Sequence, residues 1–540
     1  MSNKSNIKLS VINLPEKKQI QQRDSIIEDV PNEKTADFET AINLAGTGKF
    51  QYLLILAIIP ASWASSIDTG NMSMILASAE CDLKLSLFDK GLLNAMIYVG
   101  MVLSGVVWGF LADVRGRKKI IVYGYMADGI CNVLTGFSQN FGTLVFFKFL
   151  SGLIVCGPYA TLMAYCAEFY GANDRAKIPI LVGFSVSFGC VVNAALAWLV
   201  VPQPWSIVLW DGAFVYNSWR IYLSLCGVST LIGVICLSFF PESPKFLMSQ
   251  NRNEDALEVF KKIYSVNTGL PEDNCPIRNL SDVNNTTVQQ SNCQNSAKAS
   301  LKSGIQQMKP IFFKPYLSLI LLFVTIQFCL MLCMNTLRLW QPQLFATIDN
   351  FYSLNMNVTN PTFCEILDIS MSISANKTVT LEEISSCEII MVADSMYRDT
   401  VIVAITTSIF ILSASFLVNF MQHRYLLLVG FGCSLLCLIA LIWSSNTLTT
   451  LILTCLYIGL FGKTFNVVVG ATVLLFPTSL RAMAVSMQMI VGRMGVIVGN
   501  LLFPVLLECG CIAPIINLAG FILLCMILTC FIPSTRKHMV

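Results

Sequence analysis

Twelve stretches of roughly 20 residues, almost free of charge, recur along this chain of 540 residues, and nothing else narrows its fold as much. A helix of that length matches the hydrocarbon thickness of a bilayer. There no water is present, so every backbone N–H and C=O must bond within its own segment. The stretches cover about 51–78, 91–112, 120–138, 144–168, 178–202 and 220–240. After a long polar interruption come 316–337, 400–421, 425–444, 450–475, 484–507 and 512–532. Composition agrees, with 55% hydrophobic and 12% charged residues, against about 25% charged in a soluble domain. The expectation is an all-α membrane protein with 12 transmembrane helices in two six-helix bundles.

The net charge of +3 says little; the distribution of charge carries the information. Lys and Arg gather in the N-terminal tail, in 113–119, in 174–177 and in 245–314. Basic loops stay on the cytoplasmic side, so both termini are expected there. The division that follows is a tail over 1–49, a bundle over 50–240, a cytoplasmic linker over 241–315, a second bundle over 316–532 and a short tail over 533–540. The tail 1–49 reads as polar and mostly structureless, and the first apolar run as an internal signal-anchor rather than a cleaved leader. Within the linker, Asn253–Tyr264 reads as an amphipathic helix capped by Asn253, and the Asn/Ser/Gln-rich 271–300 as a flexible connection.

The connection 338–399 is expected outside the cell or in a lumen, and it is too long for a plain turn. It carries glycosylation acceptors at Asn357 and Asn376. The alternating runs Ile369–Ser374 and Thr378–Leu381 read as short strands. Most of the 20 cysteines lie in apolar spans, where the thiol acts as a small hydrophobe. Cys364 and Cys387 fall in the outer segment, where an oxidising compartment would let them pair or leave them free.

The turn between the second and third stretches, Trp108–Lys119, contains Gly-x-Leu-Ala-Asp-x-x-Gly-Arg-Lys over 109–118. Gly116 lets the chain reverse at low steric cost, and Asp113 sets one carboxylate among four cations. Corners of the two halves share sequence: Glu168–Arg175 ends the fourth stretch and Leu474–Arg481 the tenth, while Pro241–Lys245 and Pro533–Arg536 close the halves. Such repetition is what duplication leaves. The 109–118 pattern resembles the loop between the second and third helices of the major facilitator superfamily. Asp68, Ser78–Asp82, Ser151-Gly152, Ala167–Phe169, Ala194–Trp198, Ser218–Arg220 and Pro241–Lys245 together resemble the synaptic vesicle glycoprotein 2 family, densely over 60–265 and thinly over 425–536. The resemblance implies the major facilitator fold, two bundles related by an axis along the membrane normal. It also has departures. Leu474 and Val469 stand where that family has carboxylates, Met334-Asn335 replaces a tyrosine pair, and the basic loop between the eighth and ninth helices is reduced to Asn419–Arg424.

Charged groups inside a bilayer are costly and become the default site candidates. Asp68 sits in the first stretch close to Gly70, which reads as a kink. It either binds a cation or a proton or hydrogen-bonds structurally to a neighbour. Lys463, beside Phe465 and Asn466, leans towards a cavity, whereas Arg493 reads as structural and Asp128 as facing another helix. The family resemblance implies that Trp198 and Phe465 stack on a solute, since aromatic faces suit cationic or amide-bearing guests. Asp113, Arg117, Glu168, Arg175 and Arg481 lie at cytoplasmic corners. They are expected to form inter-helix charge pairs that favour the outward-open state, each contributing a few kcal/mol at most.

No hydrolytic or redox constellation and no phosphate loop of the Walker type occurs, so neither an enzyme nor direct use of ATP is expected, and no cofactor or metal is called for. The leading expectation is a secondary active or facilitative transporter of a small organic solute, cationic or zwitterionic to suit Asp68, working by alternating access with a proton or another coupling ion. The alternative is a glycoprotein that keeps the scaffold and has a binding or trafficking role. Either would be a multi-pass protein of the plasma membrane or of a secretory or synaptic-type vesicle, surrounded by lipid, with no nucleic-acid partner indicated.

Overall fold

The computed structural model describes residues 35–280, 309–353, 361–377 and 394–533, with 176, 315, 418 and 419 excepted. Twelve long helices carry the twelve expected spans. The first six are Lys49–Leu83, Leu87–Arg115, Arg117–Gly136, Phe141–Ala167, Ile178–Val200 and Ser218–Ser238. The other six are Tyr316–Ser353, Asp394–Leu417, His423–Ile442, Thr447–Leu475, Thr478–Glu508 and Ile512–Thr529. Eleven helices are long and apolar enough to cross a membrane on their own. The third, Arg117–Gly136, is the exception, because Arg117, Lys118, Lys119 and Asp128 lower its hydropathy. It is sheltered between the fourth and sixth spans.

Side chains at the span ends explain where several helices begin. Ser86 accepts from Asp89 N at 3.2 Å while the Asp89 carboxylate accepts from Ser86 N at 3.0 Å, a reciprocal cap on the second span. Asn140 accepts from Thr143 N at 2.9 Å and starts the fourth. In the first half the second span packs on the fourth, the third on the fourth and sixth, and the first on the fifth and sixth. Six spans on, the same pairs recur: eighth on tenth, ninth on tenth and twelfth, seventh on eleventh and twelfth. The corner repeats in the sequence thus reflect a repeated set of helix contacts. The halves meet through the second span against the eleventh and the fifth against the eighth.

Close approach inside the first bundle depends on two glycines. A Cβ on Gly152 would lie 2.1 Å from the Ile97 carbonyl oxygen, and one on Gly100 would lie 2.4 Å from that of Phe149. The second and fourth spans therefore touch backbone to backbone.

Several expectations change. The seventh helix runs on to Ser353 rather than ending near 337. At 1.5 Å per residue its 38 residues measure about 57 Å, beyond a bilayer core of about 30 Å, so the connection begins at 354 and not at 338. Ile369–Ser374 is helical, within Phe363–Lys377, because it continues a helix whose buried residues Phe363, Cys364, Ile366 and Leu367 recur at helical spacing. Thr378–Leu381, Asn357 and Cys387 lie outside the described residues; Asn376 stands on the last turn of that helix. The first span passes through Gly70 as continuous helix. The tail is not structureless up to residue 49, since Phe38–Ala45 is a helix and Thr35–Ala36 pairs in parallel with Asn279–Leu280. Asn253 is the first residue of the helix Asn253–Thr268, whose cap position is Arg252. That helix buries Ala256, Phe260 and Ile263 and docks on the first span through Asn267, which accepts from Phe50 N at 2.9 Å. A hairpin, Ser206–Leu209 against Phe214–Asn217, joins the fifth and sixth spans. We call its side of the molecule the hairpin end, and the side of the Arg115–Lys119 turn the basic end.

Cys364 is bonded to Cys511, their Cα atoms 5.2 Å apart, which corrects the pairing with Cys387. The bond ties Phe363–Lys377 to the turn before the twelfth span, where Cys511 N also donates to Asp368 Oδ1 at 2.8 Å. Sequence proximity favoured Cys387; the fold instead brings together residues 147 apart. Cys364→Ser is expected to cost about 2–4 kcal/mol. Non-reducing peptide mapping checks the link, and recovery of a Cys364–Cys387 peptide in its place would contradict it.

Candidate functional site

The interior of the first bundle holds a charge cluster made by three helices. Asp68 of the first span is 1% exposed, Asp128 of the third 0% and Lys148 of the fourth 0%. Lys148 Nζ lies 3.8 Å from Asp68 Oδ1, Ser151 donates to Asp128 Oδ1 at 2.9 Å, and Asp68 adjoins Asp128. Burying a charge is costly unless it is paired, and Lys148 supplies the pair. Asp68 is therefore enclosed within the first bundle and paired there. Asp128 faces other helices as expected. Lys148 was missed, although a lysine deep in an apolar run is flagged by the same rule that singled out Asp68.

At the interface between bundles, two cations of the second half face the first. Arg338, in the seventh span, donates from Nη2 to Tyr98 Oη at 3.3 Å and from Nη1 to Cys190 Sγ at 3.6 Å. Arg493, in the eleventh, donates from Nη1 to Cys156 Sγ at 3.1 Å. Arg338 escaped the sequence reading because it lies just beyond the expected end of the seventh span. Arg493, expected to be structural, reaches across to the other bundle.

The remaining predicted positions fall in separate places. Trp198 is half-buried near the hairpin end and donates from Nε1 to Asp394 of the eighth span at 2.5 Å, which joins the bundles. Lys463 and Phe465 are half-buried on the tenth span and Asn466 is exposed. Asn466 Nδ2 donates to Gly462 O at 3.1 Å, and Phe465 packs on the core of the second half.

At the basic end, Arg117 pairs with Glu168. Ser243 donates to the other Glu168 oxygen at 2.5 Å, and Glu242 Oε1 accepts from Arg117 N at 3.1 Å and Lys118 N at 2.8 Å. Glu242 thus caps the third span, where the exposed N–H groups and the helix dipole favour an anion. Gly116 has φ of +98°, and a Cβ there would lie 2.7 Å from Glu242 Oε2, so the turn needs glycine on both counts. Burial pushes the Glu168 carboxyl above the usual range, opposed by Arg117 and Ser243. Arg175 pairs with Glu39 of the tail helix at 2.7 Å, a partner the sequence reading did not foresee. Arg481 Nε is buried with no hydrogen-bond partner among the described residues. Asp113 is on the last turn of the second span. Among the described residues these pairs all lie within the first half, and none bridges the bundles. The described hydrogen bonds between bundles instead lie near the hairpin end and at mid-depth. Tyr397 donates to Met74 O at 3.3 Å, Asn94 to Leu339 O at 3.4 Å and Ser408 to Ser187 O at 3.3 Å. The Arg117–Glu168 pair is made while the bundles are in contact near the hairpin end.

Two six-helix bundles joined near the hairpin end and at mid-depth, with arginines of the second facing the first, define a membrane transporter fold of the major facilitator class. Residues 49–359 match the family model for the sugar (and other) transporters, and the chain belongs to that family. It is 29% identical to synaptic vesicle glycoprotein 2B of Rattus norvegicus over 239 residues, 44% of this chain and 35% of that one. It is 30% identical to synaptic vesicle glycoprotein 2C of Homo sapiens over 244 residues, 44% of this chain and 33% of that one. The match thus spans about a third of the length of these relatives. Among solved structures, a D-xylose-proton symporter superposes with a TM-score of 0.60 at 14% identity, covering 90% of this chain and 99% of that one. The inward-open xylose transporter from E. coli gives 0.60 at 15% identity, covering 90% and 97%. These likenesses establish the fold. The resemblance to the synaptic vesicle glycoprotein 2 family and the all-α major facilitator fold expected from sequence both hold.

Proposed function

We propose that this chain moves a small organic solute across a membrane by alternating access, its two bundles (50–240 and 316–532) rocking about a site at mid-depth. The observation that carries this reading is the pair of bundles held together towards the hairpin end, with half-buried cations at their interface. The basic end is assigned to the cytoplasm because Lys and Arg gather there and because the Cys364–Cys511 bond is at the opposite end, where an oxidising compartment preserves it. With that orientation the arrangement is inward-facing, and Trp198 with Asp394 acts as an outer latch. Lys463, Phe465 and Asn466 line the tenth-span wall of the path.

Asp68 and Asp128 share one ammonium, Lys148, so one negative charge is left for a proton to neutralise. That cluster is the proposed coupling site, by analogy with the proton named in the symporter's description. Asp68→Asn leaves Lys148 beside Asp128 with charges balanced, so folding should persist. In vesicles containing the purified protein and exposed to a solute panel, a pH difference of one unit is expected to raise solute accumulation by up to about tenfold in the native protein, for one proton per solute. It should have no effect in Asp68→Asn. Uptake by the variant that still follows the gradient would remove Asp68 from coupling. A binding or trafficking role remains the second reading, favoured by the loss of second-half charges at Leu474 and Val469, and it would be supported by the absence of uptake for every solute.

A further inference from the structure

Three cations buried in the first bundle have carboxylates: Lys148 has Asp68 at 3.8 Å, Lys90 has Glu80 at 2.7 Å and Arg220 has Asp82 at 3.3 Å. The half-buried Arg338 and Arg493 do not. Among the described residues neither makes an ion pair with a carboxylate, and both reach the opposite bundle, with Tyr98 within electrostatic range of each. Their acceptors are the Tyr98 hydroxyl and the sulfurs of Cys190 and Cys156, which are weak partners for a full charge. Arg338 Nε is buried with no hydrogen-bond partner among the described residues. A guanidinium does not lose its proton in proteins, so it cannot relieve its burial by neutralising, and removing it from water without a counter-charge is costly. An anion entering between the bundles would supply that counter-charge.

We propose that Arg338 and Arg493 form an anion site and that the solute carried is an organic oxyanion, a carboxylate or a phosphate ester. This rests on the transport reading above and replaces the cationic solute that Asp68 had suggested, because Asp68 is enclosed and paired. The planar fork of each arginine matches two oxygens of a carboxylate or phosphate. Tyr98 beside Arg338 and Tyr159 near Arg493 offer ring faces to the apolar part of the solute. With the bundles joined towards the hairpin end, the site is reached from the basic end.

Cys190 provides a reporter that does not depend on transport. The full-length protein in lipid nanodiscs is treated with an anionic and a cationic methanethiosulfonate, each rate normalised to that on a small free thiol. Adducts at Cys190 are read by mass spectrometry, with Cys190→Ser marking the site. The anionic reagent is expected to react roughly tenfold faster, as two nearby cations raise the local anion concentration. The preference should vanish in Arg338→Gln and persist in Arg338→Lys, which keeps the charge and guards against a folding defect. Benzoate, succinate or glucose 6-phosphate should slow the modification, and glucose or tetraethylammonium should not. Equal normalised rates, a cationic preference, no adduct with either reagent, or protection by chloride alone equal to that by the organic anions would each overturn the proposal. Protection by organic anions without any uptake would leave the anion site and remove the transport reading. Uptake of a neutral sugar with no protection by anions would do the reverse.

Discussion

Lys148→Met is expected to destabilise the protein by about 3–5 kcal/mol, as does breaking a buried ion pair by removing one partner. Methionine fills much of the lysine volume, so little of the loss comes from a cavity. What remains is Asp68 and Asp128, 1% and 0% exposed, with no cation between them. Thermal unfolding in detergent, followed by the fraction of monodisperse protein, measures the loss. The double variant Lys148→Met with Asp68→Asn removes the pair together and should recover part of it, since replacing a buried pair by uncharged groups is often close to neutral. A full double-mutant cycle with an interaction energy near zero would mean that the 3.8 Å separation carries no stabilising contact.

Gly152→Ala is the second large effect, and its cause is steric. The new Cβ would meet the Ile97 carbonyl oxygen at 2.1 Å, and the obstacle is backbone rather than a side chain that can swing away. Extra methylenes in a packed core cost typically about 1–3 kcal/mol; here the expected loss is at or above about 3 kcal/mol. Gly520→Ala on the twelfth span is the control, because nothing lies within 4 Å of a Cβ there. If the two variants unfolded at the same temperature, the second and fourth spans would not be in backbone contact.

Much of the fold was legible without the structure. All twelve spans were located, most within a few residues, because hydropathy is summed over a window as long as the helix itself. The third span was found although it fails a strict apolarity criterion, since the turn motif before it marked its start. The seventh was cut short at 337 because Arg338, Gln341 and Gln343 read as the end of an apolar run; neighbouring helices supply partners to this polar turn, with Gln341 donating to Thr400 at 3.0 Å. The candidate site was less legible. Asp68 was singled out correctly as a buried charge, but its partner Lys148 was not, and Arg338 was hidden by the misplaced boundary.

The sequence by itself determined which stretches form spans, which positions carry charge inside a span, and that the two halves repeat. These are local properties, set by residue type, capping groups and average hydropathy. Only the tertiary structure decided partners: Asp68 with Lys148, Cys364 with Cys511 rather than Cys387, Trp198 with Asp394, and Arg338 against Tyr98 and Cys190. Each of these depends on the rotation and depth of helices distant in sequence. One residue of displacement turns a side chain by about 100° around its helix, so a pattern that defines a span does not define what that span faces.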